Sequence, residues 1–207
     1  MKSSETVIIS LRHLSFCRDD IPLFQNLNLD VERGQWLSVR GKNGTGKSTL
    51  LKLMAGLLIP DEGEIVRAHQ TQLSYVGHQN GQRPYLTLRD QLEAKRVLVE
   101  SQVSLDMVMD RCQLFSLADV KISQLSAGQQ RQGALAALLF CPQSVWLLDE
   151  PFEHLDSVSK DRFRGIFEEH LRNGGTICQT SHEDFPSYSA IQEYWLPEQT
   201  QQIRGVL

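Results

Sequence analysis

Basic excess is missing from this chain: 21 Lys and Arg stand against 25 Asp and Glu, for a net charge of −4. Such a balance lays down no electrostatic footprint for broad nucleic-acid binding, so no nucleic-acid partner is expected. Cysteine is scarce and scattered. Cys17, Cys112, Cys141 and Cys178 form no C-x-x-C pair and no metal-ligand spacing, which speaks against a zinc-type site. They read as small apolar fillers in a reducing compartment. Long hydrophobic runs are also absent. The richest, residues 50–59 and 134–140, fall well short of the ~20 residues that span a bilayer. Residues 1–7 are polar and lack the apolar stretch of a signal peptide. The expectation is a cytosolic chain that meets a membrane only through partners. There is no internal repeat and no low-complexity segment.

What is present is enough apolar residue, 41% of 207, for one large α/β domain or two small lobes sharing a core. Val7, Ile8, Ile9 and Leu11 suggest a strand. Leu23, Leu27, Leu29 and Val31 alternate as in a half-buried strand. Residues 35–40 form a short β-type run ending at Gly41. A helix is predicted over 48–58, with Leu50, Leu51, Met54, Leu57 and Leu58 on one face. Short strands follow at 64–66 and 73–76. Leu88 and Leu92 begin a helix; Val108, Cys112, Phe115 and Leu117 are assigned to another; residues 129–140 form a third. Residues 144–148 are a continuous apolar run ending in Asp149-Glu150, the pattern of a strand covered on both faces of a parallel sheet. An amphipathic helix over 159–172 stops at Asn173-Gly174-Gly175. A strand at 176–180 follows, and the tail 191–207 is expected to form a β-hairpin. Trp36 and Trp146 read as core residues, and His78 and His154 as polar loop residues.

One segment carries chemistry by itself. Gly41-Lys42-Asn43-Gly44-Thr45-Gly46-Lys47-Ser48 follows a strand and opens a helix, the context a phosphate-binding loop needs. Glycines let backbone N–H groups curl around an anion, and the helix N-terminus adds positive potential. Lys47 supplies a charge for β- and γ-phosphates, Ser48 a hydroxyl for Mg²⁺, and Thr49 a further phosphate contact. The ligand expected is ATP with Mg²⁺. Asp149, at the end of the buried strand, fits the Mg²⁺ shell. Glu150 fits a base that polarises the attacking water, a role worth about 10²–10⁴-fold in rate.

With that loop in place other segments fall into order. Leu125-Ser126-Ala127-Gly128-Gln129 resembles the signature, usually L-S-G-G-Q, of ABC-transporter ATPases. Leu155-Asp156 resembles their D-loop, Thr180-Ser181-His182 their switch histidine, and Gln79 their Q-loop glutamine. The resemblance runs from about residue 8 to His182. It implies the P-loop NTPase fold of that family: an α/β chain with a mixed sheet core, a small antiparallel β region and a short helical subdomain at about 83–140, all within a single ATP-binding domain over 1–207. It implies that His182 orients the γ-phosphate and that Gln79 touches Mg²⁺ and water and reports to a membrane partner. It also implies a head-to-tail dimer in which Ser126, Gly128 and Gln129 of a second copy complete each ATP site. Ala127 stands where glycine is usual. The base-stacking aromatic is replaced by Cys17, next to Phe16, which suggests weak base selectivity.

The absence of a second cassette or a coiled-coil insertion speaks against the translation-factor and repair branches. Residues 75–81, Leu86-Thr87 and 125–132 resemble most the heme-exporter ATPases of cytochrome c maturation (Ccm). That resemblance implies docking on integral membrane permease subunits of Ccm type, at the cytoplasmic face of the inner membrane, to power heme export and release of the heme chaperone. An exporter ATPase for a lipoprotein, drug or ion, and a soluble non-transport ABC ATPase, are the alternatives.

Overall fold

A computed structural model describes residues 6–142, 145–181 and 191–197. Its first element, β1 (Val7–Arg18), runs well beyond the predicted strand because it has partners on both edges. It pairs antiparallel with β2 (Ile21–Glu32), placing Leu11 opposite Leu29, and with β4 (Glu62–Arg67), placing Leu11 opposite Ile65. The β1–β2 link is two residues, Asp19 and Asp20, both with positive φ (51° and 62°). That is the mirror-image turn whose twist suits a hairpin. Ile9, Leu11, Leu14, Leu27 and Val31 line the inner face of this small sheet and are buried.

The larger sheet has the order β5-β6-β7-β3-β8. Its strands are β3 (Trp36–Arg40), β5 (Leu73–Val76), β6 (Val145–Asp149), β7 (Thr176–Thr180) and β8 (Ile191–Trp195). All four pairings are parallel. Among the described residues antiparallel pairing is confined to the small sheet and one isolated bridge, Thr87 to Lys121. Residues 191–195 of the expected tail hairpin form an edge strand parallel to β3; the rest of that expectation lies outside the described residues.

Every residue of β3, β6 and β7 is buried, because helices cover both faces. Leu37, Val39, Leu147 and Cys178 join α1 (Lys47–Met54) and the small sheet in one apolar cluster. Trp36, Trp146, Leu148 and Ile177 face α5 (Ser157–Arg172) in another. Trp146 stacks on His170, centroids 3.6 Å apart and 6° from parallel, and meets Phe167 edge-on. Both tryptophans are therefore core residues. Of the cysteines, Cys112 and Cys178 are buried fillers, whereas Cys17 is exposed and Cys141 half-buried.

Between β5 and β6 the chain forms α2 (Leu88–Leu98), α3 (Leu105–Arg111) and α4 (Ala127–Ala136). Leu88, Leu92, Val108, Met109 and Leu135 seat them on the α5-side cluster. Two helix ends differ from expectation. α1 stops at Met54, where Gly56 (φ 76°) reverses the chain and Leu57 N–H returns to the Lys52 carbonyl at 2.9 Å, a Schellman end. Leu57 and Ile59 are consequently exposed. α3 stops at Arg111, where Gln113 takes φ 55° and Leu114 N–H returns to the Met109 carbonyl. Phe115–Leu117 is then a separate 3-10 turn, not a continuation of that helix. Parallel strands bring the ends of β3, β5, β6 and β7 to one edge of the sheet, where α/β proteins hold their ligands.

Candidate active site

At that edge β3 runs into the Gly41–Ser48 segment, and α1 begins at Lys47. Gly46 caps the helix with φ 97°, and a Cβ there would come within 3.1 Å of Leu23 and 3.2 Å of Phe24. Conformation and space both demand glycine. Lys47 is 6% exposed, and its Nζ donates to the carbonyls of Gly41 (2.8 Å) and Lys42 (2.9 Å). The ammonium thus ties the loop's first turn to the helix start. Burial pulls its pKa below the ordinary value, against the opposing pull of Glu150 and Asp149. Thr45 Oγ1 donates to the Lys42 carbonyl, bracing the same turn. Thr49 is buried behind the loop, while Lys42, Asn43 and Gly44 are exposed.

Asp149 ends β6 only 3% exposed. Its Oδ1 accepts from Ser48 Oγ at 2.9 Å and from Thr180 Oγ1 at 2.7 Å. Three segments far apart in sequence meet at one carboxylate oxygen. Thr180 Oγ1 also accepts the Glu150 N–H at 2.9 Å. Glu150 has φ 51°, a left-handed backbone that costs a non-glycine residue about 1–2 kcal/mol. Strain of this kind collects at functional sites. In the sequence Thr180 reads only as a strand end; its signal is a hydroxyl beside the expected switch histidine. His182 itself lies outside the described residues.

Gln79 is exposed just past β5. A cleft of about 500 Å³ opens there, lined among others by Gln79, Asn80, Gln130, Arg131, Glu153 and His154. His78 and His154 are exposed loop residues, both within ion-pair reach of Glu153 (3.1 and 3.6 Å).

The signature segment starts α4. Ser126 is the N-cap, its Oγ accepting from Gln129 N–H, while Gln129 Oε1 accepts from Ser126 N–H at 2.9 Å. This reciprocal pair satisfies two otherwise orphaned donors and fixes the helix start. Ser126 and Ala127 face solvent. Gly128 is required by contact: a Cβ would lie 2.5 Å from the His154 carbonyl oxygen. The links of this helix thus run to the segment after β6.

Arg131, one turn on, escaped sequence reasoning. It is 4% exposed and donates to the carbonyls of Gly77, Asp149 and Pro151 and to Asn80 Oδ1. The available signal was a cation at a buried helical position in an Ala- and Leu-rich stretch. Tyr75 was missed too. Its hydroxyl is buried, and Gly77 leaves the space that its ring fills. Burial, and then Asp149, push its pKa up to about 12.

Comparison with known proteins bears on this geometry. The family profile described as "ABC transporter" matches residues 24–153. The "Cytochrome c biogenesis ATP-binding export protein CcmA" of Legionella pneumophila (strain Paris) is 38% identical, the match covering 91% of this chain and all of that one. The protein of the same name in Haemophilus influenzae is 35% identical over 86% of this chain and 91% of its own. Among solved structures, an ATP-binding cassette crystallised as a dimer in a post-hydrolysis state with ADP and Pi aligns with a TM-score of 0.74 at 22% identity, covering 85% of this chain and 88% of that one. An ATP-binding subunit of an ABC transporter aligns with a TM-score of 0.75 at 20% identity, covering 84% and 79%. These two speak for the fold. The profile and the relatives speak for descent: the chain belongs to the ABC transporter family, in the branch of the cytochrome c biogenesis ATP-binding export proteins.

Proposed function

We propose that this chain is the ATP-hydrolysing subunit of an ABC transporter complex, and that it powers heme export and heme-chaperone release in c-type cytochrome maturation. The observation that carries the ATPase reading is the meeting of Ser48, Asp149, Thr180 and the Glu150 backbone at the mouth of the phosphate loop. The cytochrome reading rests on similarity to the named relatives over most of their length.

Hydroxyls gathered on a carboxylate are a hard-oxygen donor set, which suits Mg²⁺ shared with nucleotide phosphates. Ser48 and Asp149 would hold it, and the resemblance adds Gln79; the ion would neutralise phosphate charge. Residues 41–49 cradle the phosphates, and the Lys47 ammonium exchanges its loop carbonyls for phosphate oxygens. Glu150, held by Thr180 through its backbone, polarises the water. The resemblance gives His182 the γ-phosphate. A second copy closes each site with Ser126, Gly128 and Gln129, whose helix start points outward toward an anion.

No helix among the described residues is long and apolar enough to cross a membrane. Contact with the inner membrane, at its cytoplasmic face, is therefore assigned to integral permease subunits of Ccm type.

The test is genetic and enzymatic together. Deleting the coding gene should abolish c-type cytochromes, and wild type but not Lys47→Ala should restore them. The variant's ATP turnover should fall by about 10²-fold or more, as when one preorganised charge is removed from a phosphoryl site. Wild-type turnover in Lys47→Ala would sink the ATPase reading. Normal cytochromes in the deletion strain would move the cargo to another substrate.

A further inference from the structure

In an ATP sandwich each subunit has two duties. Its loop and Asp149 serve its own nucleotide, and Ser126–Gln129 meet the nucleotide of the other copy. Something must join the two within one chain. The covalent path from Ser126 to Asp149 runs through the whole of α4, residues 137–144 and β6. The shorter path is one side chain. Arg131 Nη2 donates to the Asp149 carbonyl at 2.5 Å, Nε to the Pro151 carbonyl at 3.1 Å, and Nη1 to the Gly77 carbonyl (2.7 Å) and Asn80 Oδ1 (2.9 Å). Its acceptors thus lie on the exit of β6 and on the segment leading into and past Gln79. A second point fixes the helix direction: Gly128 rests on the His154 carbonyl so closely that a methyl would not fit.

The chemistry is specific to arginine. A planar guanidinium offers five donors in a fixed fork, and one ammonium cannot reach all four acceptors on the two segments. A buried cation is costly to desolvate, and burial does lower its pKa, with Asp149, Glu153 and Glu150 offsetting that cost from around the cage. A cation used only to fill the helix interface could be replaced by an apolar side chain. This one collects acceptors from the elements that must move together.

We infer that Arg131 is a positioning residue that binds the signature helix, the end of β6 and the Gln79 segment into one body, so that occupation of a subunit's own phosphate site sets the signature end offered to the second copy. The inference rests on the ATP-sandwich reading above.

The experiment uses the full chain in a Glu150→Gln background, where ATP should accumulate the dimer on gel filtration. Adding Arg131→Lys keeps the charge and loses the fork. Affinity of the single chain for a fluorescent ATP analogue should stay within about twofold, while the melting temperature should fall by several degrees because buried carbonyls lose their donors. The ATP concentration that half-dimerises the chain should rise by about tenfold, within the usual range of coupling between sites. Unchanged dimerisation would reduce Arg131 to a fold residue and overturn the inference. Loss of analogue binding together with dimerisation would do the same. A Glu150→Gln chain that stays monomeric with ATP would instead overturn the sandwich reading, and the inference with it. Should Arg131→Lys fail to fold, Asn80→Ala decides: it removes one acceptor at the cleft and should shift dimerisation in the same direction by about two- to fivefold at constant melting temperature.

Discussion

Phe16 and Cys17 are neighbours on β1 with opposite fates. Phe16 turns inward and meets Phe24 at 6.3 Å between ring centroids, packed on the small-sheet cluster. Cys17 is exposed, and its backbone N–H donates to Asp61 Oδ2 at 2.6 Å. The β1–β2 register shifts between the two residues, and with Phe16 spent on packing only Cys17 is open to a ligand. We assign the base-stacking position that the family resemblance implies to the thiol and not to the ring. Cys17→Tyr should supply the missing stacking, worth about 0.5–1.5 kcal/mol, and tighten nucleotide binding by about 2- to 12-fold. ATP and GTP should gain alike, because every base has a π-face. Titration with both nucleotides checks this; unchanged affinities would place the base elsewhere. The same argument expects comparable ATP and GTP turnover in the unaltered chain, and a strong ATP preference would count against it.

At the scale of elements, strands buried on both faces were the most legible. Residues 145–148 and 176–178 read as unbroken apolar or β-branched runs, and each lies in a central parallel strand. The start of α1 was legible because its sequence carries the reason, a glycine-rich anion loop; α5 instead begins at Ser157, two residues before the expected 159, because Asp156 caps it, its side chain accepting from Ser159 N–H. Helix ends were harder. Apart from Lys52 and Gly56 the run Leu50 to Ile59 is apolar, and apolarity does not say which residues will find cover. One glycine decides it. Gly56 holds φ 76°, so Gly56→Ala should cost about 1 kcal/mol. The melting temperature should fall by about 2–4 °C for a chain of this size, with nucleotide affinity unchanged. A neutral effect would mean that α1 can run on to Leu58 without loss. The length of β1 was illegible for another reason. Its extension to Arg18 depends on Ile21, Pro22 and Phe24 across the hairpin and on Glu62 from β4, contacts that no local pattern announces.

For the whole molecule, what was legible was the order of motifs, and what was not was their joining. Lys47, Ser48, Asp149 and Glu150 could be named because each sits in a segment whose residue types betray its chemistry. Arg131 takes three of its four acceptors from backbone carbonyls in two distant segments, and a carbonyl leaves no mark in the sequence. The two apolar clusters on either side of the large sheet add a property of their own. Each encloses a cysteine, Cys112 on the α5 side and Cys178 on the α1 side. Burial pushes both thiols up to about 12 from an ordinary 9.0. Tyr75, packed on the α1-side cluster, rises from 10.0 to about 12. Raised values mean that the unfolded chain gives up these protons first. The stabilisation is therefore complete below about pH 9 and is lost as pH climbs toward 12. Two thiols contribute a slope of about 3 kcal/mol per pH unit, so two units remove an amount comparable to the ~5–15 kcal/mol that holds a protein folded. Urea midpoints measured from pH 8 to 11 should hold steady to about pH 9 and then fall steeply. Cys178→Ala should fall less steeply, by one proton's worth of slope. A flat profile between pH 9 and 11 would show that neither thiol is held neutral by the fold.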